Sequence, residues 1–444
     1  MRTTDIVPPR SARRDPPPAH RADRACAGLI DRACVGHMID ACVGHMIDAR
    51  VGDEYVATAS SYRRSPGARD LTERTTMTDL YATLAEHVER GAVPGLVAAV
   101  ARGGVTEVEV LGSTGYPGAQ GARPMTRDTL FRITSMTKPV VAAAALSLVE
   151  DGTLGLDDAV DDLLPELADR RVLRDPQGPL DDTVAAERPI TVEDLLSFRA
   201  GLGFDLDVGF PTSPLFAAAA ELGLAIGPPV PPSPHSPDEW LRRLGTLPLL
   251  AQPGARWLYD TCADVLGVLV ARAGGAALPD VLAERVLTPL GMSDTAFHVE
   301  GDEVDRLAAG WTDGPDGTPV PLQDGGAWTR PPAFPSGSAG LVSTVDDYVR
   351  FATALAAGEL LAPATVARMV TDRLTGPQHG SVLLGDRGWG LGLAVDPGGR
   401  YGWDGGFGTT WLTDPGSGTV AVLLTQRTFS GPVFELISAF RAAV

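Results

Sequence analysis

Lysine is almost absent from this 444-residue sequence: among its 37 basic residues it occurs once, as Lys138. Positive charge is also outweighed, because 56 acidic residues give a formal net charge of −19, which argues against a nucleic-acid or anionic-membrane partner. An apolar run of about 18 residues is missing, so no membrane span is predicted. The N-terminal residues lack the apolar core of a signal peptide. A cytoplasmic protein is therefore expected.

Cysteine is scarce, at positions 26, 34, 42 and 262, and predicts no disulfide framework for most of the chain. Residues 1–76 are rich in Arg, Pro and Ala and contain a perfect repeat, 33–40 followed by 41–48. Perfect short repeats are typical of low-complexity sequence, so we predict a disordered extension over 1–76, or an upstream leader ahead of a start at Met77. The folded domain is predicted over 77–444. An alternative zinc site, which we do not favour, would use Cys34, His37, Cys42 and His45.

The catalytic motifs of several other hydrolase folds are missing as well. Residues 336–340 lack the first glycine of G-x-S-x-G, so an α/β-hydrolase elbow is unsupported. No H-E-x-x-H is present. A Ser-His-Asp triad would need His235, His298 or His379, and all three lie in loop-like contexts without a pairing signal.

The chemistry that is present centres on Ser135 and Lys138, in an S-x-x-K arrangement. Pro139 is tolerated only in the first turn of a helix, which places the helix start near Ser135 and its end near Gly152. Positions i and i+3 share a helix face, so the hydroxyl and the amine can meet at the positive end of the helix dipole. Lysine can lose its proton when its pKa is lowered, whereas arginine cannot. The sole lysine is therefore predicted to be a neutral amine that takes the serine proton; the alternative is a helix start with a chance Ser and Lys.

Two further segments contain candidate site residues. Tyr259 follows a P-G-x-x-W-x stretch, and a phenol near a lysine can act as base or acid, although a half-buried loop tyrosine is the competing interpretation. Residues 402–408 include four glycines, which permit a close approach of another backbone and could offer a backbone N–H to an oxyanion. The competing interpretation there is an ordinary glycine-rich turn.

The order of predicted elements indicates an α+β fold. Strands over 95–101 and 105–111 are joined by a Gly-Gly hairpin signal, and strand patterns return over 389–395, 409–413 and 419–425. Helices are predicted over 79–90 and 433–443, and helix starts at Thr191 and Ser236. We therefore predict an antiparallel sheet flanked by helices and built from both ends of the chain, with a mostly helical region, about 156–335, inserted between its halves.

With these residues in place, the chain resembles the serine β-lactamase and penicillin-binding-protein superfamily, in its class C-like branch of family VIII carboxylesterases. The likeness covers about residues 80–444 and implies a β-lactamase/transpeptidase-like fold. The segments that carry it, in order, are 131–138, 189–202, 253–261, 289–295, 337–347 and 402–411.

The resemblance implies roles for individual positions. Ser135 corresponds to the acylated nucleophile, Lys138 to the amine that activates it, and Tyr259 to the general base that then serves as acid. The backbone N–H groups of Ser135 and Gly406 would form the oxyanion hole. No cofactor and no metal is implied. The substrate-binding positions implied by the family are Thr261, Trp403, Asp404 and Gly405.

Three departures from the family pattern bear on substrate. Thr261 replaces the asparagine of Y-x-N, and Trp403 replaces the lysine or histidine that helps to hold a substrate carboxylate in β-lactamases and D,D-peptidases. An indole has one donor and no charge, as in the W-x-G of family VIII carboxylesterases. Residues 198–200 read Phe-Arg-Ala where the family has H-T-S, a change with no derivable effect.

We therefore expect a serine hydrolase that cleaves small carboxylic esters through an acyl-enzyme on Ser135. A β-lactamase, a D-amino-acid peptidase or an acyltransferase would use the same chemistry, and the uncharged residue at 403 disfavours these alternatives. A non-catalytic binding protein is the third hypothesis, against which the intact Ser135, Lys138 and Tyr259 argue. The expected partner is a small-molecule ester or amide substrate, and no oligomeric state is predicted.

Overall fold

The computed structural model describes residues 77–206, 212–224, 227–230 and 232–444. The predicted extension over 1–76, its repeats and the alternative zinc ligands Cys34, His37, Cys42 and His45 lie outside the described residues.

A seven-stranded antiparallel sheet dominates the fold. The early hairpin, β1 (Gly95–Arg102) and β2 (Val105–Gly112), joins strands from the end of the chain because β1 pairs directly with β13 (Thr419–Leu424), with Val97 opposite Leu424. The predicted α+β fold, with a sheet built from both ends of the chain, is confirmed. The order continues through β12 (Thr409–Asp414), β11 (Tyr401–Gly405), β10 (Ala394–Val395) and β9 (Gly388–Trp389).

In the described ranges, three two-stranded ladders lie apart from the main sheet. They pair β3 (Phe131–Arg132) with β8 (Val342–Ser343), β4 (Arg171–Leu173) with β5 (Thr183–Ala185), and β6 (Trp311–Asp313) with β7 (Pro319–Pro321).

Eleven α-helices are found among the described residues, and most of them lie between β2 and β9. A π-helical turn, Ala283–Leu287, joins the seventh to the eighth. They are α1 (Met77–Glu89), α2 (Thr137–Glu150), α3 (Val192–Leu196), α4 (Pro214–Glu221), α5 (Pro237–Leu244), α6 (Thr261–Gly274), α7 (Leu278–Leu282), α8 (Thr288–Leu290), α9 (Val345–Ala357), α10 (Pro363–Met369) and α11 (Gly431–Ala443).

The sheet buries both of its faces. Side chains of successive strand residues point to opposite faces, so β1 sends Val97 and Ala99 to the main core and Leu96 and Ala98 to a smaller one. Buried residues of α2 and α9 belong to the main core, and those of α1 and α11 to the smaller one. Because α2 is apolar on every side and almost wholly buried, it is fixed in position on this sheet.

Local capping explains where two predicted helices begin. The Thr191 hydroxyl accepts from the Asp194 N–H at 3.2 Å, while the Asp194 carboxylate accepts from the Thr191 N–H at 2.9 Å, a reciprocal capping box for α3. At α5 the Ser236 hydroxyl forms one half of such a box by accepting from the Glu239 N–H at 3.4 Å. Both predicted helix starts are confirmed.

The prediction of one strand over 389–395 is wrong. The segment folds into the β9–β10 hairpin, in which Trp389 lies opposite Ala394. The reason is Gly392, which has a φ of +87°, donates its N–H to Leu196 O at 2.8 Å and packs against Ala142 of α2. A Cβ there would lie 2.3 Å from the Ala142 Cβ, so the chain turns at a contact that the alternating pattern did not show.

Across the described part of the chain, no single helix is both long and apolar enough to cross a membrane. The segments 261–274 and 278–290 meet that criterion only together, as a pair bent by 77°.

Candidate active site

Ser135 lies in a 3₁₀ turn, Thr134–Met136, that leads directly into α2. Its predecessor Thr134 has a φ of 42°, an unusual value for a residue with a Cβ, and the Thr134 hydroxyl is buried without a hydrogen-bond partner. Such strain persists only where the surroundings hold the backbone in place. Pro139 is the third residue of α2, so the predicted helix start beside Ser135 is confirmed.

Lys138 is buried against Ser135, with only 1% of its surface exposed. Its Nζ donates to Ser135 Oγ at 3.1 Å, to Asp260 Oδ1 at 2.7 Å and to the Ser338 carbonyl oxygen at 2.9 Å. The three donors of an ammonium group therefore all have partners. The predicted contact between the Ser135 hydroxyl and the Lys138 amine, one helical turn apart, is confirmed.

The charge of Lys138 differs from the expectation. Burial by itself lowers the pKa of Lys138, but the Asp260 carboxylate and, to a smaller extent, Tyr259 and Asp264 raise it above its usual value on balance. This environment disagrees with the expectation of a neutral amine, because a carboxylate that the spacing did not reveal lies against the amine. The three acceptors around Nζ favour the ammonium form of Lys138.

Tyr259 completes the cluster from the segment before α6. Its ring centroid lies 4.6 Å from Lys138 Nζ, its hydroxyl is within hydrogen-bonding range of Ser135, and Trp403 Nε1 donates to the phenol oxygen at 2.8 Å. Burial raises the pKa of Tyr259 most; Lys138 and the two hydrogen bonds offset this in part, and the pKa stays above its usual value. Ser135, Lys138 and Tyr259, selected from the sequence, are thus in mutual contact.

Aromatic rings surround the Tyr259 phenol. Phe198, at the position where the family has H-T-S, has a φ of 58° and packs its ring 6.0 Å from that of Tyr259, which gives that departure a structural role. Among the described residues, the rings within about this distance of Tyr259 are those of Phe198, Phe204, Trp257, Trp389 and Trp403, with centroid separations between 5.5 Å and 6.4 Å.

The end of β11 lies directly against the Ser135 turn. A Cβ on Gly405 would lie 2.3 Å from the Ile133 carbonyl oxygen, so no side chain fits there. Thr409 of β12 strengthens the contact by donating its hydroxyl to the same oxygen at 3.2 Å. The close approach predicted for the glycine-rich segment is present, and Gly406 follows immediately.

Asp404 was expected to bind substrate, but its carboxylate accepts hydrogen bonds from three side chains of the protein. Arg441 and Thr410 each donate to Oδ1 at 2.6 Å, and Arg387 donates to Oδ2 at 3.2 Å. Burial alone would raise the pKa of Asp404, but the two arginines and Thr410 hold it below its usual value. Alternate strand residues face opposite sides, so Asp404 points away from the side of Trp403, and its contacts indicate a role in holding β11.

Thr261, the replacement for the family asparagine, lines a small apolar cavity next to the site. The cavity measures about 40 Å³ and lies between α4, α5 and the turn at Gly201. Besides Thr261, its walls include Leu202, Leu215, Phe216, Ala219 and Trp240.

Two buried carboxylates of the site, Asp260 and Asp264, were not identified from the sequence. Asp264 Oδ1 accepts from Ser336 Oγ at 2.8 Å and from the Ser338 N–H at 3.0 Å. These bonds fix the backbone of Ser338, whose carbonyl oxygen accepts a hydrogen bond from Lys138 Nζ. Burial, helped by Asp260, raises the pKa of Asp264 to about 7. The available signal was a pair of acids four residues apart at the start of the otherwise apolar α6.

Two histidines considered for a triad have partners away from Ser135. His235 contacts the Leu222 carbonyl oxygen at 3.0 Å, and His379 lies 3.3 Å from Asp372. Within the described ranges, no group of three or more His, Cys, Asp or Glu side chains is arranged to hold a metal ion.

Comparison with known proteins places this geometry in a family. The sequence profile of the Beta-lactamase family matches residues 80–444. Protein Rv1367c of Mycobacterium tuberculosis is 40% identical over 338 residues, covering 70% of this chain and 81% of its own length. Esterase EstB of Burkholderia gladioli is 35% identical over 378 residues, covering 79% of this chain and 90% of its own.

A solved structure agrees with these sequence matches. EstCE1, described as a hydrolase with promiscuous acyltransferase activity, superposes with a TM-score of 0.69 at 28% identity, covering 83% of this chain and 98% of its own. The predicted β-lactamase/transpeptidase-like fold is confirmed. The chain belongs to the Beta-lactamase family.

Proposed function

We propose that this serine hydrolase of the β-lactamase fold is a carboxylesterase that acts on small carboxylic esters through an acyl-enzyme on Ser135. The observation that carries the proposal is the contact of Lys138 Nζ with Ser135 Oγ at 3.1 Å, beside a phenol in range of the same hydroxyl. The similarity to Esterase EstB over 90% of that protein supports the ester as substrate.

The proposed acylation step begins once the Lys138–Tyr259 pair has lost one proton to solvent and Tyr259 is the phenolate. Tyr259 then takes the proton of Ser135 Oγ as that oxygen bonds to the ester carbonyl carbon. When the tetrahedral intermediate collapses, the carbon–oxygen bond to the alcohol breaks and Tyr259 returns the proton to the leaving alkoxide. A water molecule then hydrolyses the acyl-enzyme by the same two steps, with Tyr259 again taking a proton and returning it, this time to Ser135 Oγ. Lys138, held as an ammonium, and the Trp403 N–H stabilise the negative phenol oxygen.

The developing oxyanion would be bound by the backbone N–H groups of Ser135 and Gly406. Support comes from the contact between the end of β11 and the Ser135 turn, where Gly405 leaves no room for a Cβ. Donors fixed by strand pairing cost no reorganisation during the reaction.

The residues around the site favour uncharged substrates. Trp403 stands where a lysine or histidine would attract a carboxylate, and its only N–H is used by Tyr259. We propose that the cavity beside Thr261 receives the acyl chain, because its side-chain walls are apolar and Thr261 lies two residues from Tyr259.

Acyl transfer to an alcohol is the second candidate function. The solved structure of EstCE1 belongs to a hydrolase with acyltransferase activity, and an acyl-enzyme can pass its acyl group to an alcohol as well as to water. Product analysis of a vinyl ester reaction with and without added alcohol would separate the two, since a transferase forms the new ester at a rate comparable to hydrolysis.

The test is hydrolysis of p-nitrophenyl esters by the wild type, Ser135→Ala and Lys138→Arg. Both variants should lose at least about 10³-fold in kcat while their thermal unfolding stays cooperative. A fluorophosphonate should label Ser135 in the wild type, as read by peptide mass spectrometry. Undiminished turnover in Ser135→Ala would reject the proposal, and nitrocefin turnover matching that of the esters would favour a β-lactamase instead.

A further inference from the structure

We propose that Asp260 is a positioning residue that clamps the Lys138 ammonium beside Ser135 and so leaves the base role to Tyr259. The inference rests on the proposed function and assigns a role to a residue outside the S-x-x-K and tyrosine positions. Its basis is the 2.7 Å contact between Asp260 Oδ1 and Lys138 Nζ, at a carboxylate that is itself buried.

Both oxygens of the Asp260 carboxylate are occupied. Oδ1 accepts from Lys138 Nζ, and Oδ2 accepts from the Gly227 N–H at 2.7 Å. The Asp260 residue is 1% exposed and Lys138 is equally buried. A buried ion pair that is fully hydrogen-bonded holds both partners in one geometry, and removal of one partner leaves an uncompensated charge.

The backbone at Asp260 is shaped for this contact. Its φ of 82° and ψ of −72°, with Thr261 N donating to Tyr259 O at 3.3 Å, define a γ-turn of the rare, strained form. In extended backbone, successive side chains point to opposite sides. The turn instead brings Tyr259 and Asp260 to the same ammonium, at 4.6 Å from the ring centroid and 2.7 Å from the carboxylate.

The charged and titratable groups that face Lys138 are Asp260, Tyr259 and Asp264. Asp260 is the one carboxylate among them in direct contact with Nζ, since Asp264 acts through the backbone of Ser338. Loss of the Asp260 charge should lower the pH at which the Lys138–Tyr259 pair loses its first proton. It should also remove the hydrogen bond that keeps Lys138 Nζ beside Ser135 Oγ.

The first test is the pH profile of ester hydrolysis by Asp260→Asn. We expect kcat to fall at least about tenfold, and the ascending limb of kcat/KM to move to lower pH by about one unit or more. Asp347→Asn is the matched control, because it removes another fully buried carboxylate that lies outside the site. Asp347→Asn should lower the stability of the protein without shifting the ascending limb of kcat/KM. An unshifted ascending limb together with an unchanged kcat in Asp260→Asn would overturn the proposal.

The second test needs no variant and so does not depend on the folding of Asp260→Asn. Because Lys138 is the only lysine, labelling with lysine enriched in carbon-13 at Cε gives one side-chain NMR signal. That signal should keep the shift of an ammonium from neutral pH through about pH 9. A neutral amine at about pH 8 would overturn the clamp, while loss of hydrolysis in Ser135→Ala would still leave the proposed function standing.

Discussion

Trp403 Nε1 donates a hydrogen bond of 2.8 Å to the phenol oxygen of Tyr259. The indole directs its one polar group to the tyrosine. The Arg387 guanidinium also stacks on the indole ring, at 4.9 Å. In the proposed mechanism, this position stabilises the Tyr259 phenolate.

The first prediction concerns this hydrogen bond. Trp403→Phe removes the donor and should lower kcat for p-nitrophenyl esters by about tenfold to a hundredfold, because the phenolate loses a charge-assisted hydrogen bond. Trp411→Phe is the matched control, since its indole donates to Thr413 Oγ1 at 2.9 Å, away from the phenol. Both variants should lose stability, but equal kcat losses in the two would contradict the assignment.

The second prediction compares neighbouring glycines. Gly405→Ala should lower both turnover and stability, the latter by about 1–3 kcal/mol, because its Cβ meets the Ile133 carbonyl and the Thr409 hydroxyl. Gly406→Ala should keep most activity, since nothing lies within 4 Å of a Cβ there and its N–H remains. Urea denaturation and steady-state kinetics of both variants provide the check; a more severe loss in Gly406→Ala would exclude this arrangement.

The third prediction concerns acyl-chain preference. Ala219→Leu projects into the cavity beside Thr261 and should reduce kcat/KM for hexanoyl and longer esters more than for acetyl esters. Ala220→Leu on the same helix faces solvent and should leave the chain-length profile unchanged. Parallel shifts of all chain lengths in Ala219→Leu would place the acyl chain elsewhere.

The fourth prediction concerns stability and pH. Because the pKa of Asp264 is raised from 3.8 to about 7, the folded protein binds a proton between these values that the unfolded chain has already released. This contribution favours folding at low pH and is lost as pH rises toward about 7. Asp264→Asn removes it, so the urea midpoint of the wild type should drop relative to that of the variant between about pH 5 and about pH 8.

The exposed Asp181→Asn provides the control for loss of one negative charge, and its midpoint should follow that of the wild type. A constant difference between the wild type and Asp264→Asn across the same range would show that the buried carboxyl does not titrate on folding.

Much of the fold was readable from local patterns. The β1–β2 hairpin, the helix starts at Thr191 and Ser236 and the start of α2 each depend on residues close in sequence. β11 was not recognised as a strand because its glycines, needed for contact with the Ser135 turn, remove the alternating pattern. The same close approach at Gly392 broke the predicted strand over 389–395.

The same distinction between local patterns and long-range contacts applies to the site residues. Ser135, Lys138 and Tyr259 occur in recognisable patterns of residue type and spacing, so they could be identified from the sequence. The charge of Lys138 could not be predicted, since it depends on Asp260, a residue 122 positions away whose side chain is directed by a strained turn. An electrostatic contact between two segments that are distant in sequence produces no pattern of residue spacing, so it cannot be predicted from the sequence.

The pairing of β1 with β13 has a consequence for biosynthesis. β1 comes early in the sequence and needs β13 as its neighbour. β11 and β12, which contact the Ser135 turn, also follow Ser135 by more than 260 residues. A ribosome-bound chain that still lacks its C-terminal strands would contain the serine and the lysine without the surface that holds them in register. Enzyme activity should therefore appear only after β11, β12 and β13 have been synthesised and have paired, and deletion of β13 should abolish it completely.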